Sequence, residues 1–300
     1  MIDVLGLGCV AVDDLIYVES FPAPDAKTPV LRAERQCGGL TATALVAAAR
    51  LGSRCAYAGV LGSDSLSEYA IEQLTREGID LRHLRRRNAA GPVHSFIVVD
   101  EAKGTRNIFF DVAGAVGADA DWPEAAVIRS TRVLFVDSFG LQGMLRAART
   151  AREAGIPVVG DFEREAGGEF AELLGAVDHL IVSQSFAQEL TGASLPEEAV
   201  RGLWCKGREV AVVTCGAEGC WYLDRGGEAR HQPAFEVKAV DTTGCGDVFH
   251  GAYAAMLARG FSLPERVRFA SATAALKTTR RGGQAGVPTL EVVQKFLETQ

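Results

Sequence analysis

Asp241, Thr242, Thr243, Gly244, Cys245, Gly246 and Asp247 bring carboxylates, hydroxyls and a thiol together in one short run. The Gly-Cys-Gly step is small enough for backbone N–H groups to face a ligand. An apolar pattern then begins, through Val248, Phe249, Ala252, Tyr253, Met256 and Leu257, and predicts a helix. The first N–H groups of a helix lack intrahelical acceptors and lie at its positive end, which suits a phosphate. Asp247 falls where that helix begins. It can serve as an N-cap, a role Asp favours. It can also serve as a general base, taking a proton from an attacking hydroxyl beside an anion hole. The glycines on both sides of Cys245 favour the base, because a cap needs no anion hole. The run Phe235–Val240 reads as a strand leading into this turn.

The elements that must hold this turn follow a regular pattern. Val4–Val10 reads as a buried strand. The Gly38-Gly39 pair precedes an Ala- and Leu-rich helix that Thr41 can cap and Gly52 ends. A strand over Cys55–Leu61 and a helix over Ser65–Glu77 come next. Residues 93–99 and 105–112 read as a hairpin. From Trp122 onward, strands at 133–136, 157–161, 179–183 and 210–214 alternate with helices at 143–154, 168–174, 186–190 and 197–206. Antiparallel strands at 219–223 and 229–240 and helices at 246–259, 264–278 and 289–298 finish the chain. This alternation predicts an α/β fold, a doubly wound and mostly parallel sheet with helices on both faces. The main domain takes residues 1–10, 38–83 and 113–300. The excursions at 11–37 and 84–112 are too polar on one face for a parallel sheet. They read as a small β-sheet lid or a dimerisation surface.

Bulk properties exclude several functions. The 300 residues carry a formal charge of −7, which argues against a nucleic-acid partner held by phosphate contacts. The seven cysteines are odd in number and scattered, with no Cys-x-x-Cys pair. Free thiols in a reducing cytosol are the simplest account, so a cytoplasmic location is expected. The N-terminus has no basic region of the signal-peptide kind, and no apolar run is long enough to span a bilayer, so no membrane partner is expected. Gly6, Gly8 and Ala11 match a loose dinucleotide fingerprint, but β-leaning residues and prolines follow where a helix is required. A P-loop and a Gly-x-Ser-x-Gly elbow are both absent. Ligands of open α/β sheets sit at the carboxyl ends of strands. There the chain has Asp137, Asp161, Ser183 and the loop Thr214–Gly219, with Asp13 and Gly38-Gly39 on the same rim.

Taken together, the chain resembles the ribokinase-like (PfkB) carbohydrate kinases over essentially its whole length. The resemblance is carried by Gly38-Gly39 before the helix ending at Gly52, by Gly62-Ser-Asp64, by Thr214–Gly219 and by Asp241–Gly251. Phe269–Ala275 and Thr279–Pro288 are similar to the family's C-terminal nucleotide and cation loops. It implies transfer of the γ-phosphoryl group of ATP, with Mg²⁺, to a hydroxyl of a sugar or sugar derivative. By this likeness Asp247 is the base, and the N–H groups of Gly244, Cys245 and Gly246 form the anion hole. Ser183, Thr214, Gly216, Gly219 and Ser271 line the nucleotide side, while Asp13, Gly38, Gly39, Thr43 and Asp137 face the sugar. Asp241 and Thr243, with carbonyls near Lys277, Gly282 and Gly286, resemble a monovalent-cation site that would take K⁺. The lid implies a homodimer.

The departures from the family pattern concern the substrate more than the chemistry. Cys245 replaces an Ala, and a thiol at a helix N-terminus is expected to have a lowered pKa and to add sensitivity to oxidation. The family's Asn-x-x-Glu reads Ser183 to Phe186, a departure similar to that of ketohexokinase and sulfofructose kinases. The C-terminal third also resembles sulfofructose kinases, in His231–Phe235 and Arg268–Ser271. Yet Ala11, Leu40 and Thr43 stand where relatives carry amides, and Phe110 and Phe139 stand where a sulfonate would be held, although Lys27 remains. A nucleoside kinase of the same fold and a non-catalytic sugar or nucleotide sensor are the alternative readings. All five histidines read as surface or core residues.

Overall fold

Short apolar runs bounded by glycine and polar turns become strands of one sheet, since backbone groups buried on both faces find partners only in neighbouring strands. The computed structural model describes residues 1–225 and 227–300. The N-terminal part gives β1 (Ile2–Leu7), β2 (Ala11–Val18), β3 (Arg32–Gly38), α1 (Leu40–Arg50), β4 (Cys55–Tyr57), β5 (Gly59–Leu61), α2 (Ser65–Arg76), β6 (Arg85–Arg86), β7 (Val93–Asp100), β8 (Thr105–Asp111) and β9 (Gly117–Ala118). Alternation follows, with α3 (Ala125–Arg129), β10 (Thr131–Val136), α4 (Leu141–Glu153), β11 (Val158–Phe162), α5 (Phe170–Ala176), β12 (His179–Ser183), α6 (Gln184–Thr191), α7 (Pro196–Leu203) and β13 (Val210–Thr214). The chain ends with β14 (Cys220–Asp224), β15 (Arg230–Gln232), α8 (Cys245–Ala258), α9 (Leu263–Thr278) and α10 (Leu290–Leu297).

The main sheet has eight strands in the order β15-β14-β13-β12-β11-β10-β1-β4. Pairing is parallel from β4 to β13 and antiparallel only at the β14 and β15 edge. Side chains alternate between the faces, as the pleat requires. Val4, Val133 and Phe135 join the core beneath α1, α8 and α9. Leu5, Leu7, Leu134 and Val136 join the opposite core with Met144, Leu145 and Phe186. The α/β, doubly wound architecture with an additional smaller sheet is therefore as the sequence predicts.

A four-stranded sheet in the order β3-β2-β7-β8 stands apart from the main sheet. It draws β2 and β3 from the first excursion and β7 and β8 from the second. Residues 84–92 depart from their expected place, because β6 pairs with β5 in a third small sheet that also contains β9. The single strand predicted over Cys55–Leu61 is thus split, β4 serving the main sheet and β5 the small one. The strand predicted to run to Val240 stops at Gln232. Pro233 has no N–H for a ladder, and the N–H groups of Val240 and Asp241 donate instead to the Thr278 carbonyl at 2.7 and 3.0 Å.

Helix α8 is anchored by close contact with α1. A Cβ built on Gly251 would lie 2.1 Å from the Ala44 carbonyl oxygen. Small residues on both helices (Ala44, Ala47 and Ala48 against Ala252 and Ala255) are fully or almost fully buried around this crossing. Ala in place of Gly inside a helix ordinarily gains about 1 kcal/mol. Here the obstacle is backbone, which cannot swing aside. Gly251→Ala is expected to destabilise the protein by about 1–3 kcal/mol, read as a lower urea midpoint with an unchanged slope.

Candidate active site

Gly244, with φ of 71°, is the N-cap of α8, and no side chain makes a capping bond there. Asp247 is therefore the third helical residue and not the cap. A Cβ on Gly244 would lie 3.5 Å from Thr43 Cγ2 and 3.6 Å from Asp247 Oδ2, so the carboxylate hangs beside the turn, next to α1. The Cys245 N–H donates to the Thr242 carbonyl at 3.2 Å. Among the described residues the N–H groups of Gly244, Gly246 and Asp247 have no backbone carbonyl partner. Of the three N–H groups expected to face a phosphate, that of Cys245 is thus engaged, while those of Gly244 and Gly246 are left without a backbone partner, as is that of Asp247.

Two cavities meet at this turn. One, of about 810 Å³, is lined by Asp13, Gly38, Gly39, Thr43, Gly244 and Asp247, with lid residues above them. The other, of about 590 Å³, is lined by Thr214, Gly216, Gly219, Cys245, Gly246 and Ser271, and by the apolar Phe235 and Val237. Thr242 borders both. The sequence-predicted sugar-side and nucleotide-side residues thus separate into the two cavities, with two exceptions.

The first exception is Asp137, which is fully buried and lines neither cavity. Its Oδ2 accepts from the Cys9 N–H at 2.7 Å and from Thr41 Oγ1 at 2.8 Å, and its Oδ1 accepts from the Phe139 N–H at 2.8 Å. Burial lifts its carboxyl to about 6 against the pull of those donors. Thr41 is consequently not the cap of α1; Gly39 holds that position. Gly8 is required here, since a Cβ would sit 1.9 Å from Thr41 Oγ1. The glycine pair that mimicked a dinucleotide motif therefore serves packing. The second exception is Ser183, whose Oγ caps α6 by accepting from the Phe186 N–H at 3.3 Å. Phe186 itself is buried in the core against Phe170. Ala11 and Leu40 likewise pack in an apolar cluster with Phe139 rather than facing the cavity.

Charge around Asp247 is concentrated. Burial is the main force raising its carboxyl well above the usual range, and Asp161 and Glu163 add to it. Asp13 is also raised, by burial, with the Ser95 hydroxyl opposing. Asp161 is itself buried, and its Oδ2 has no hydrogen-bond partner among the described residues. It lies 3.4 Å from His250 Nδ1. His250, read from sequence as a surface or core residue, bridges the site to the sheet. Its Nδ1 is 2.7 Å from the Gly246 carbonyl and its Nε2 is 3.0 Å from the Ile181 carbonyl. The only signal for it was its place one turn after Gly246. The Cys245 expectation is also reversed. Burial pushes this thiol up, outweighing the nearby Lys277 and the helix N-terminus.

Asp241 ties the turn to the C-terminal loop. Its carboxylate accepts from the N–H groups of Thr243 and Gly282, both at 2.8 Å. Burial raises its pKa, but these donors and Lys277 outweigh burial and hold it low. The loop carbonyls of Lys277, Arg280 and Gly282 converge on Gly286, where a Cβ would lie 3.1–3.2 Å from each. Yet the residues expected to cradle a monovalent cation do not fit one. The Asp241 carbonyl already accepts from Lys277 Nζ at 2.9 Å, and both carboxylate oxygens of Asp241 face N–H groups.

Residues 1–290 match the family model described as pfkB family carbohydrate kinase. The chain is 31% identical to a ribokinase of Haemophilus influenzae, covering 97% of each chain. It is 28% identical to a probable fructokinase of Arabidopsis thaliana, covering 87% of each. Its structure superimposes on that of a putative ribokinase from Agrobacterium tumefaciens with a TM-score of 0.92 and 27% identity, covering 99% of this chain and 97% of the other. Among the described residues no helix is long and apolar enough to cross a membrane.

Asp137 is a strut between β1, α1 and the loop after β10. Asp137→Ala is expected to leave the Cys9 and Phe139 N–H groups unpaired and to cost about 2–3 kcal/mol, measured by denaturant titration.

Proposed function

The chain belongs to the pfkB family of ATP-dependent sugar kinases, and from that premise we propose that Asp247 is the general base and the start of α8 the anion hole. The observation that carries this reading is the position of the α8 N-terminus between two cavities. One cavity suits an acceptor, with Asp13 and Asp247 able to bind hydroxyls. The other is mostly apolar and suits a nucleotide base, with its phosphates directed at the helix. An acceptor hydroxyl loses its proton to Asp247 as its oxygen attacks the γ-phosphorus, and ADP leaves. The N–H groups of Gly244, Gly246 and Asp247 stabilise the charge spread over the transferring oxygens. The raised pKa strengthens Asp247 as a base.

Mg²⁺ is expected with ATP. Among the described residues no group of three or more His, Cys, Asp or Glu is arranged to hold a metal. Mg²⁺ is usually held by one or two carboxylates and the phosphates of its substrate. Asp161, with its unpartnered buried oxygen, and Glu163, both near enough to act on Asp247, are the carboxylates proposed for that role, although neither lines either cavity. The ion would neutralise phosphate charge. Phe186 stands where the family's Glu would contribute, and its burial removes that position from the site.

The acceptor is a sugar or sugar derivative. Likeness to ketohexokinase rests on the Ser183–Phe186 departure, and likeness to sulfofructose kinases on that and a few C-terminal residues, whereas the relatives above are a ribokinase and a fructokinase, so neither substrate is favoured. The lid is proposed to close over the acceptor and exclude water. Its outer face carries Phe96, 48% exposed, paired across β7 and β8 with Phe109, 56% exposed. That apolar patch supports the homodimer.

Asp247→Asn is expected to cut phosphoryl transfer by about 10²–10⁴-fold while leaving the melting curve in place, in an ATP-consumption panel of ketoses, aldoses, sugar acids, sulfo-sugars and nucleosides. Near-normal turnover in the variant would refute the base. The base works ionised and its pKa is raised, so kcat/KM should climb with pH through a limb above about 4, the ordinary carboxylate value. Phe109→Asp is expected to give a monomer in light scattering.

A further inference from the structure

We propose that the Lys277 ammonium takes the place of the monovalent cation, so that this kinase carries its own fixed charge behind the anion hole and does not need K⁺. The inference rests on the kinase reading above. Lys277 lies in the last turn of α9 and its side chain is fully buried. A buried ammonium is costly unless its surroundings supply electron-rich partners. Its Nζ donates to the carbonyl of Asp241 at 2.9 Å, a residue that the family likeness assigns to the cation site. The Asp241 carboxylate in turn holds the Thr243 and Gly282 N–H groups. The ammonium therefore acts on the loop that sets the α8 N-terminus, as a bound cation would.

The same geometry rejects a second cation. Two unit positive charges about 4 Å apart repel by about 4 kcal/mol at an effective dielectric of about 20. That corresponds to an affinity weakened by about a thousandfold. The converging carbonyls of Lys277, Arg280 and Gly282 do not reverse this. The Lys277 and Gly282 carbonyls accept from the Arg280 and Gly286 N–H groups at 3.1 and 3.3 Å.

The test compares KCl with choline chloride at equal ionic strength. Wild-type turnover should agree within about twofold in the two salts, since screening is matched; strong activation by K⁺ would overturn the proposal. Lys277→Ala removes the charge and opens a space. It should lose about tenfold or more of its turnover in choline chloride and regain part of it in KCl. Lys277→Met keeps the bulk without the charge, so it should lose activity that KCl does not restore. A Lys277→Ala enzyme that is fully active without K⁺ would also overturn the proposal. Melting temperature gives a readout that needs no acceptor. KCl should raise it for Lys277→Ala and leave the wild type unchanged. A protein that phosphorylates nothing in the panel but shows this melting pattern would sink the kinase reading and leave the Lys277 assignment standing. If the variants do not fold, the wild-type comparison still decides.

Discussion

The site depends on how closely α8 can approach α1. With Gly251 against the Ala44 carbonyl, the helix starts level with the carboxyl ends of the strands, and its first N–H groups open onto both cavities. A side chain at that crossing would push the helix away and carry Asp247 from Thr43. Asp241 then sets the turn by holding Thr243 and Gly282 together, and His250 joins the Gly246 carbonyl to the sheet. Helix packing, turn and sheet contact are one mechanical unit, and its output is the direction in which a few amide hydrogens point.

Electrostatics within that unit are dominated by burial. Asp137, Asp161 and Asp247 all have raised pKa values, and desolvation is the largest cause for each. Their origins are alike but their partners differ. Asp137 is saturated with donors and acts as a strut. Asp247 faces a cavity and makes no capping bond. The same perturbation therefore marks one structural and one candidate catalytic carboxylate, and only the direction of the side chain separates them.

Much of this was legible in the sequence because it is local. Alternating apolar strands and helices fix the sheet, and the Gly-Cys-Gly turn before an apolar helix announces α8. What remained hidden is set by distant contacts. Asp137 sits at a strand end like a ligand-binding residue, but Cys9 and Thr41 reach it from far along the chain. Phe235–Val240 has strand-like residues, yet its N–H groups go to Thr278. Lys277 looked like a carbonyl donor, and no spacing rule reveals that its side chain turns back to Asp241. His250 carries an ordinary helix-face pattern, and its role appears only when Ile181 and Asp161 come beside it.

The two cavities draw on different stretches of chain. The larger takes nearly half of its lining residues from β2, β3, β7 and β8 and much of the rest from the turn before α8, whereas the smaller is built entirely from residues at and after Thr214. Ala239 and Thr242 are common to both. Substitutions in the four-stranded sheet can therefore accumulate without disturbing the smaller cleft, because well-separated sites act nearly independently. Such a division lets a lineage change what it phosphorylates while inheriting how it phosphorylates. It also explains why motifs around α8 are easy to read when the acceptor is not.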